Sequence, residues 1–187
     1  MSVCCEFVVF VVLYSRHKMA STTRIIAIDG GNIYTGVVIA DLKGGVIDFV
    51  YMDVFQTKDK KVKEIYGRYL DEHVEPFINK NTLVVYENVF FRNYRLVAIN
   101  KSIRSYFENL GIKVRVMQPF QKSGVKSKTD TERKLQAVVA ACNVIPADWI
   151  ERFNSFERKH DVADAILMIN YLKNNPAVIE KKLGKKV

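Results

Sequence analysis

The chain has 187 residues, of which 49% are hydrophobic and 26% are charged. This composition is typical of a globular protein with its own core and excludes a low-complexity chain. Lysine and arginine number 29 against 20 acidic residues, and the net charge of +9 favours a polyanionic partner, nucleic acid before membrane. Three cysteines, Cys4, Cys5 and Cys142, lack CxxC or Cys/His spacing and therefore predict reduced intracellular thiols.

The N-terminal extension, residues 1–23, is predicted to lie outside the core. Its apolar run Phe7–Tyr14 is too short to span a bilayer and has no basic region before it. A short strand, a disordered leader and sequence translated upstream of a start at Met19 all remain open as interpretations. We expect residues 24–173 to form one domain and residues 174–187 to form a basic tail, whose end "EKKLGKKV" is frayed.

Hydrophobic patterning predicts five strands and four helices in the order β-β-β-α-β-α-β-α-α. The strands are "TRIIAIDGG", "YTGVVIADL", "VIDFVYMDVF", "TLVVYEN" and "KVRVMQP". The helices are predicted at about 59–76, 94–109, 131–142 and 161–172, with Gly111 ending the second. The segment "QKSGVKSKTD" is interpreted as a polar, basic loop. A three-strand meander followed by alternating helices and strands predicts an α/β fold, a mixed five-stranded sheet with helices on both faces.

Two carboxylates one turn apart, Asp161 and Asp164, open the last predicted helix within "KHDVADAILMIN". The helix dipole favours acids there, so a capped helix start is the simplest interpretation. Two further acids, Asp29 and Glu87, end predicted strands, where open α/β sheets bind ligands. If the helix packs beside those strand ends, the four acids form a cluster without an obvious cationic partner. Such a cluster favours hard divalent cations such as Mg²⁺, which in pairs promote in-line phosphoryl displacement.

These features together resemble the RuvC-like Holliday junction resolvases of the ribonuclease H-like superfamily. The resemblance covers about residues 24–172, and the poxvirus branch is the most similar. It is carried by Asp29, "YENVFFRN", "PFQKSGVKSKTDTERK" and "HDVADAILMINYL". It implies a metal-dependent endodeoxyribonuclease that acts as a homodimer and introduces paired, symmetric nicks in four-way DNA during viral recombination and concatemer resolution. Hydrolysis would leave 5′-phosphate and 3′-hydroxyl ends, and the setting would be the host cytoplasm.

The resemblance also implies roles for individual residues. The catalytic residues, which would ligate two Mg²⁺ or Mn²⁺ ions, are Asp29, Glu87, Asp161 and Asp164. The DNA-binding residues are Phe90, Lys122, Lys126, Lys128, Arg133 and Lys134. Among these, Phe90 would stack in the opened junction, or else belong to the core. Lys122, with either Arg133 or Lys134, would lie near the scissile phosphate.

Several residues and functions keep a second interpretation. The apolar row Val97, Ile103, Phe107 and Leu110 is predicted to lie either in a dimer interface or in the core. The segment "IDGGNIYTGVVIAD" also fits the first phosphate loop of actin-like ATPases and sugar kinases, but the sequence has no second phosphate loop or adenosine motif. A related nuclease acting on RNA would use the same acids. A non-catalytic DNA-binding protein would not need all four.

Overall fold

The computed structural model describes residues 22–57, 62–88, 93–118 and 129–184. The strands are β1 (Thr23–Gly30), β2 (Tyr34–Lys43), β3 (Val46–Gln56), β4 (Thr82–Glu87) and β5 (Lys113–Met117). The helices within these ranges are α1 (Val62–His73), α2 (Tyr94–Asn109), α3 (Asp130–Cys142), α4 (Ala147–Ser155), α5 (Lys159–Asn174) and α6 (Pro176–Leu183).

All five strands form one mixed sheet in the order β3-β2-β1-β4-β5. The strands β1, β2 and β3 pair antiparallel as a meander, whereas β4 pairs in parallel with both β1 and β5. Gly44 (φ 57°) and Gly45 (φ 80°) form the turn between β2 and β3, because both positions need the left-handed backbone that glycine tolerates. The predicted fold class, an α/β protein with a mixed five-stranded sheet, is therefore confirmed.

Each face of the sheet carries its own core, because side chains alternate along a strand. In β1, Ile25 and Ala27 point into one core, and Ile26 and Ile28 point into the other. We call the face of Ile25 and Ala27 the front face; helices α3 to α6 cover it. We call the opposite face the back face; helices α1 and α2 cover it. Helices thus lie on both faces, as the sequence predicts.

Two helices in the described ranges were not predicted from the sequence. Helix α4 follows Pro146 and buries Phe153, while α6 begins with Pro176 and buries Ile179. The expected fraying of "EKKLGKKV" is therefore wrong over residues 180–183, which belong to α6. Helix α1 also ends earlier than predicted, at His73, because the chain turns into a 3-10 segment at Glu75–Phe77. The predicted helix start at about residue 59 lies outside the described ranges.

The apolar row of α2 belongs mainly to the back core. Ile103 and Phe107 are fully buried there, while Leu110 is 44% exposed at the helix end and Val97 is half-buried. Because Ile103 and Phe107 are buried within one chain, no dimer interface is needed to explain why these two positions are apolar.

Candidate functional site

Asp29 and Glu87 lie at the carboxyl ends of neighbouring parallel strands. The pairing of β1 with β4 runs in register up to the residue before each of these acids. Both side chains belong to the front face by alternation, because Ala27 and Val85, two residues earlier, lie in the front core. The two strand-end carboxylates are therefore adjacent and on the face that α5 covers.

The first turn of α5 lies against β2, directly beside Asp29. Gly36 pairs with Asp29 across the sheet. A Cβ atom on Gly36 would overlap the carbonyl group of Asp161 and lie 2.9 Å from the nitrogen of Val162. The absence of a side chain at Gly36 is what allows the helix backbone to approach the strand this closely. The start of α5 thus packs beside the strand ends, which is the arrangement that a carboxylate cluster requires.

Both acids of α5 have an arginine neighbour, which corrects the expectation of a cluster without cationic partners. Arg158 Nε donates to Asp161 Oδ2 at 3.2 Å, and Arg133 Nη1 donates to Asp164 Oδ2 at 3.4 Å. The acidic side chains are only 13% and 8% exposed, respectively. Arg133 reaches the site from α3, so this contact depends on the packing of two helices and has no local sequence signal.

His160 adds a titratable group to the same corner. Its Nε2 lies 3.4 Å from Asp161 Oδ1. Burial lowers the pKa of His160, the nearby carboxylates of Asp161 and Asp164 oppose that shift, and the cations of Arg158 and Lys134 add to it. The neutral form of His160 is therefore favoured over the protonated form, which would be a second cation beside Asp161 in addition to Arg158.

The predicted DNA-binding residues that the structure describes, Arg133 and Lys134, lie in the first turn of α3. Lys134 Nζ is 2.7 Å from Asp130 Oδ2, and Arg133 Nη2 is 2.9 Å from Asp130 Oδ1. Hydrogen bonds from Lys134 and Arg133 lower the pKa of Asp130 to about 2. Four other predicted DNA-binding residues lie outside the described ranges and stay predictions: Phe90, Lys122, Lys126 and Lys128.

The four predicted metal ligands share one corner of the molecule. Within the described parts of the chain, however, no three His, Cys, Asp or Glu side chains are gathered closely enough to hold an ion. The donor set suits Mg²⁺, because all its members are carboxylates and Mg²⁺ prefers oxygen. The arginine contacts at 3.2 and 3.4 Å are longer than a strong charge-assisted bond of about 2.7–2.9 Å. The residues therefore fit a hard cation in chemical type, and binding would require their side chains to turn toward one another.

Sequence analysis missed two residues that shape this corner, Gly36 and Asn100. Asn100 of α2 is 8% exposed, and its Nδ2 donates to the Glu87 carbonyl oxygen at 2.9 Å. A signal for it was present, since Asn100 interrupts the apolar stripe that continues with Ile103 and Phe107. A polar residue on the buried side of an amphipathic helix needs a partner.

Comparison with solved structures identifies the fold as ribonuclease H-like, of the kind found in Holliday junction resolvases. The fowlpox virus resolvase in complex with Holliday junction DNA matches with a TM-score of 0.64 and 18% identity, over 82% of this chain and 99% of that chain. RuvC of Thermus thermophilus in complex with a Holliday junction substrate matches with a TM-score of 0.58 and 15% identity, over 87% of this chain and 97% of that chain. The resemblance to RuvC-like and poxvirus resolvases is thus confirmed in the fold.

Comparison of the sequence with protein-family models and with curated proteins finds no significant match.

Two further features of the structure concern its cysteines and its helices. Cys142 is an exposed free thiol, and Cys4 and Cys5 lie outside the described residues. No helix in the described ranges is long and apolar enough to cross a bilayer.

Proposed function

We propose that this protein is a Holliday junction resolvase, a metal-dependent endodeoxyribonuclease that introduces paired, symmetric nicks in four-way DNA. One observation carries the proposal: the front-face strand ends of Asp29 and Glu87 meet the start of α5, whose first two turns bear Asp161 and Asp164. The shared fold supports it, because the fowlpox virus resolvase and Thermus thermophilus RuvC structures both contain Holliday junction DNA.

The four carboxylates Asp29, Glu87, Asp161 and Asp164 would hold two divalent ions, Mg²⁺ or Mn²⁺. Such ions supply charge neutralisation at the phosphate and an activated water for hydrolysis. The protein's own contribution is to bring four carboxylates to one corner. Arg158 and Arg133 place positive charge beside Asp161 and Asp164, and these contacts would have to give way for the two carboxylates to hold ions.

Binding of the DNA backbone would involve the basic residues around this corner. Arg133 and Lys134 lie next to the acids, and Lys122, Lys126 and Lys128 come from the preceding basic segment. Each phosphate contact releases counterions, so junction affinity should fall steeply with salt. Phe90 would stack on an unpaired base at the junction. A homodimer would supply the second symmetric nick. In a viral setting, the branched genomes that the enzyme cuts would lie in the host cytoplasm.

Cleavage of an immobile four-way DNA junction with Mg²⁺ or with EDTA tests the proposal. Linear duplex and a matched RNA hairpin serve as alternative substrates, and Asp161→Asn is compared with Asp148→Asn, an exposed acid in the first turn of α4. We expect paired nicks only with Mg²⁺. Asp161→Asn should lower the cleavage rate by more than about 100-fold, since even outer partners of metal ligands contribute up to that factor.

The control and the alternative substrates separate the possible results. The Asp148→Asn variant should cut at the wild-type rate, because Asp148 lies at the start of α4 and not at the strand ends. Cutting of the RNA hairpin instead of the junction would assign an RNA substrate to the same acids. Unchanged cleavage by Asp161→Asn would reduce Asp161 to a helix-start acid and refute the site.

A further inference from the structure

We propose that Asn100 is a positioning residue that fixes the strand ends bearing Asp29 and Glu87 from the back face of the sheet. The inference rests on the proposed function, since it concerns the carboxylates proposed to hold the metal ions. Asn100 acts on the backbone from which both carboxylates project, while α5 closes the site from the front face.

The amide of Asn100 binds the backbone of Glu87 one residue beyond the end of the β1–β4 ladder. The pairing of β4 with β1 ends at Tyr86, one residue before Glu87, whereas the pairing with β5 continues to Glu87. Asn100 Nδ2 donates to the Glu87 carbonyl oxygen at 2.9 Å and is itself in a buried side chain. The backbone of Glu87 is therefore held at the point where the parallel ladder stops, and its side chain points to the opposite face.

The same side chain borders the end of β1. Its Oδ1 lies 3.5 Å from the position that a Cβ atom on Gly30 would occupy, and Ile99 lies 3.1 Å from that position. Gly30 directly follows Asp29. Asn100 thus occupies the space between the two strand ends, with the Glu87 carbonyl on one side and the backbone after Asp29 on the other. Loss of this amide would let the distance between the two carboxylates vary.

A second side chain of α2 binds the loop that follows Asp29. Arg95 Nε donates to the carbonyl oxygen of Asn32 at 3.0 Å, and Arg95 Nη2 donates to the carbonyl oxygen of Thr57. Thr57 N in turn donates to the carbonyl oxygen of Ile33 at 2.6 Å. The first half of α2 therefore binds both the backbone of Glu87 and the loop that follows Asp29. Ligands whose supporting groups are fixed bind metal more tightly, and loss of one such group typically costs about 10–100-fold in affinity or activity.

The test compares Asn100→Leu and Asn100→Asp with Ser102→Ala. Leucine keeps the size of asparagine without a hydrogen bond, and aspartate keeps the shape but places an acceptor against the Glu87 carbonyl. Ser102, on the same helix, donates only to the Ala98 carbonyl within α2 and serves as the control. Mn²⁺ binding to the DNA-free protein is measured by electron paramagnetic resonance, junction binding is measured in EDTA, and cleavage is measured against Mn²⁺ concentration.

We expect the dissociation constant for Mn²⁺ to rise by about 10–100-fold in both Asn100 variants and to stay unchanged in Ser102→Ala. Junction affinity in EDTA should be unchanged, kcat should fall, and high Mn²⁺ should restore part of the cleavage. If Asn100→Leu does not fold, Asn100→Asp decides by the same titration. A lower melting temperature with wild-type Mn²⁺ affinity would reduce Asn100 to a structural residue and overturn the inference.

The result for Asp161→Asn in the same titration separates the two proposals. Loss of Mn²⁺ binding and cleavage in Asp161→Asn, with neither lost in the Asn100 variants, refutes the positioning role and leaves the nuclease site standing. Full Mn²⁺ binding and cleavage in Asp161→Asn refutes the proposed site itself.

Discussion

Arginine–carboxylate pairs lie at both ends of the sheet, and their geometries differ. At the amino end of β1, Arg24 donates from Nε and Nη2 to the two oxygens of Asp41 at 2.8 and 2.7 Å. At the opposite end, Arg158 reaches Asp161 through one nitrogen at 3.2 Å. The first pair has the two-pronged geometry that makes such contacts strong, and the second does not.

The same contrast applies to the other acid of α5. Arg133 contacts Asp164 at 3.4 Å and binds Asp130 more closely, at 2.9 Å. Arg133 therefore divides its donors between two carboxylates, whereas Arg24 directs its fork at one carboxylate and the Phe77 carbonyl. One end of the sheet is therefore held by a strong, two-pronged pair, and the other by longer contacts that can exchange partners, as the proposed metal site would require.

The largest combined effect on stability and cleavage is expected from Gly36→Ala, because this substitution would move the start of α5 away from the strand ends. The new Cβ overlaps the Asp161 carbonyl group, so the helix start has to shift. We expect a loss of about 1–3 kcal/mol in the free energy of unfolding. A shift of roughly 1 Å at reacting groups can also lower cleavage by about 100-fold. Urea denaturation and the junction cleavage assay measure the two effects.

Gly67→Ala is the matched control for that substitution. Gly67 lies inside α1, and a Cβ there meets nothing within 4 Å. Alanine should raise the free energy of unfolding by about 0.5–1 kcal/mol, because glycine is unfavourable in a helix, and should leave cleavage unchanged. Equal behaviour of the two alanine variants would contradict the close approach at Gly36.

An intermediate effect is expected from Arg24→Gln, compared with Arg158→Gln. Arg24 and Asp41 side chains are 19% and 21% exposed, and loss of their paired bonds should cost about 1.5–3 kcal/mol in the free energy of unfolding without affecting cleavage. Arg158 is 40% exposed, so its loss should cost only about 0–1 kcal/mol. Thermal or urea unfolding measures both values. The opposite ranking would remove the distinction between a permanent and an exchangeable pair.

The smallest effect is expected from His160 and concerns pH. Burial holds the pKa of His160 below 6.5, so the unfolded chain takes up this proton at a higher pH than the folded protein does. As pH falls from about 7 to 5, the unfolded state binds more protons and the free energy of unfolding decreases. His160→Gln should therefore show a smaller decrease over this range in urea titrations. Identical pH profiles for His160→Gln and wild type would contradict the burial effect.

Sequence patterns predicted those parts of the fold whose burial follows a regular period. Alternation placed Asp29 and Glu87 at strand ends, and the helical period placed Asp161 and Asp164 one turn apart. Helices α4 and α6 were missed because they are short, with 9 and 8 residues. Each has one buried side chain, Phe153 in α4 and Ile179 in α6. One buried position gives no period to detect.

The site was predicted less completely than the fold. Gly36 reads as an ordinary glycine in a strand until α5 is placed over it, and Arg133 meets Asp164 only because α3 packs on α5. The predicted four-carboxylate cluster exists as a shared corner, without three acids gathered within the described residues. Side-chain rotamers at such a corner depend on which cations are nearby, and spacing along the chain does not specify them.

Helix α3 begins with a capping box, and this has an evolutionary consequence. The Thr129 hydroxyl accepts from the Glu132 amide at 3.2 Å, and the Glu132 carboxylate accepts from the Thr129 amide at 3.2 Å. The start of the helix is thereby fixed by its own residues. Insertions or exchanges in the basic segment before Thr129 can therefore occur without displacing Arg133 from Asp164. Under the proposed function, cleavage preference could diverge among descendants of this gene while the proposed active site is inherited intact.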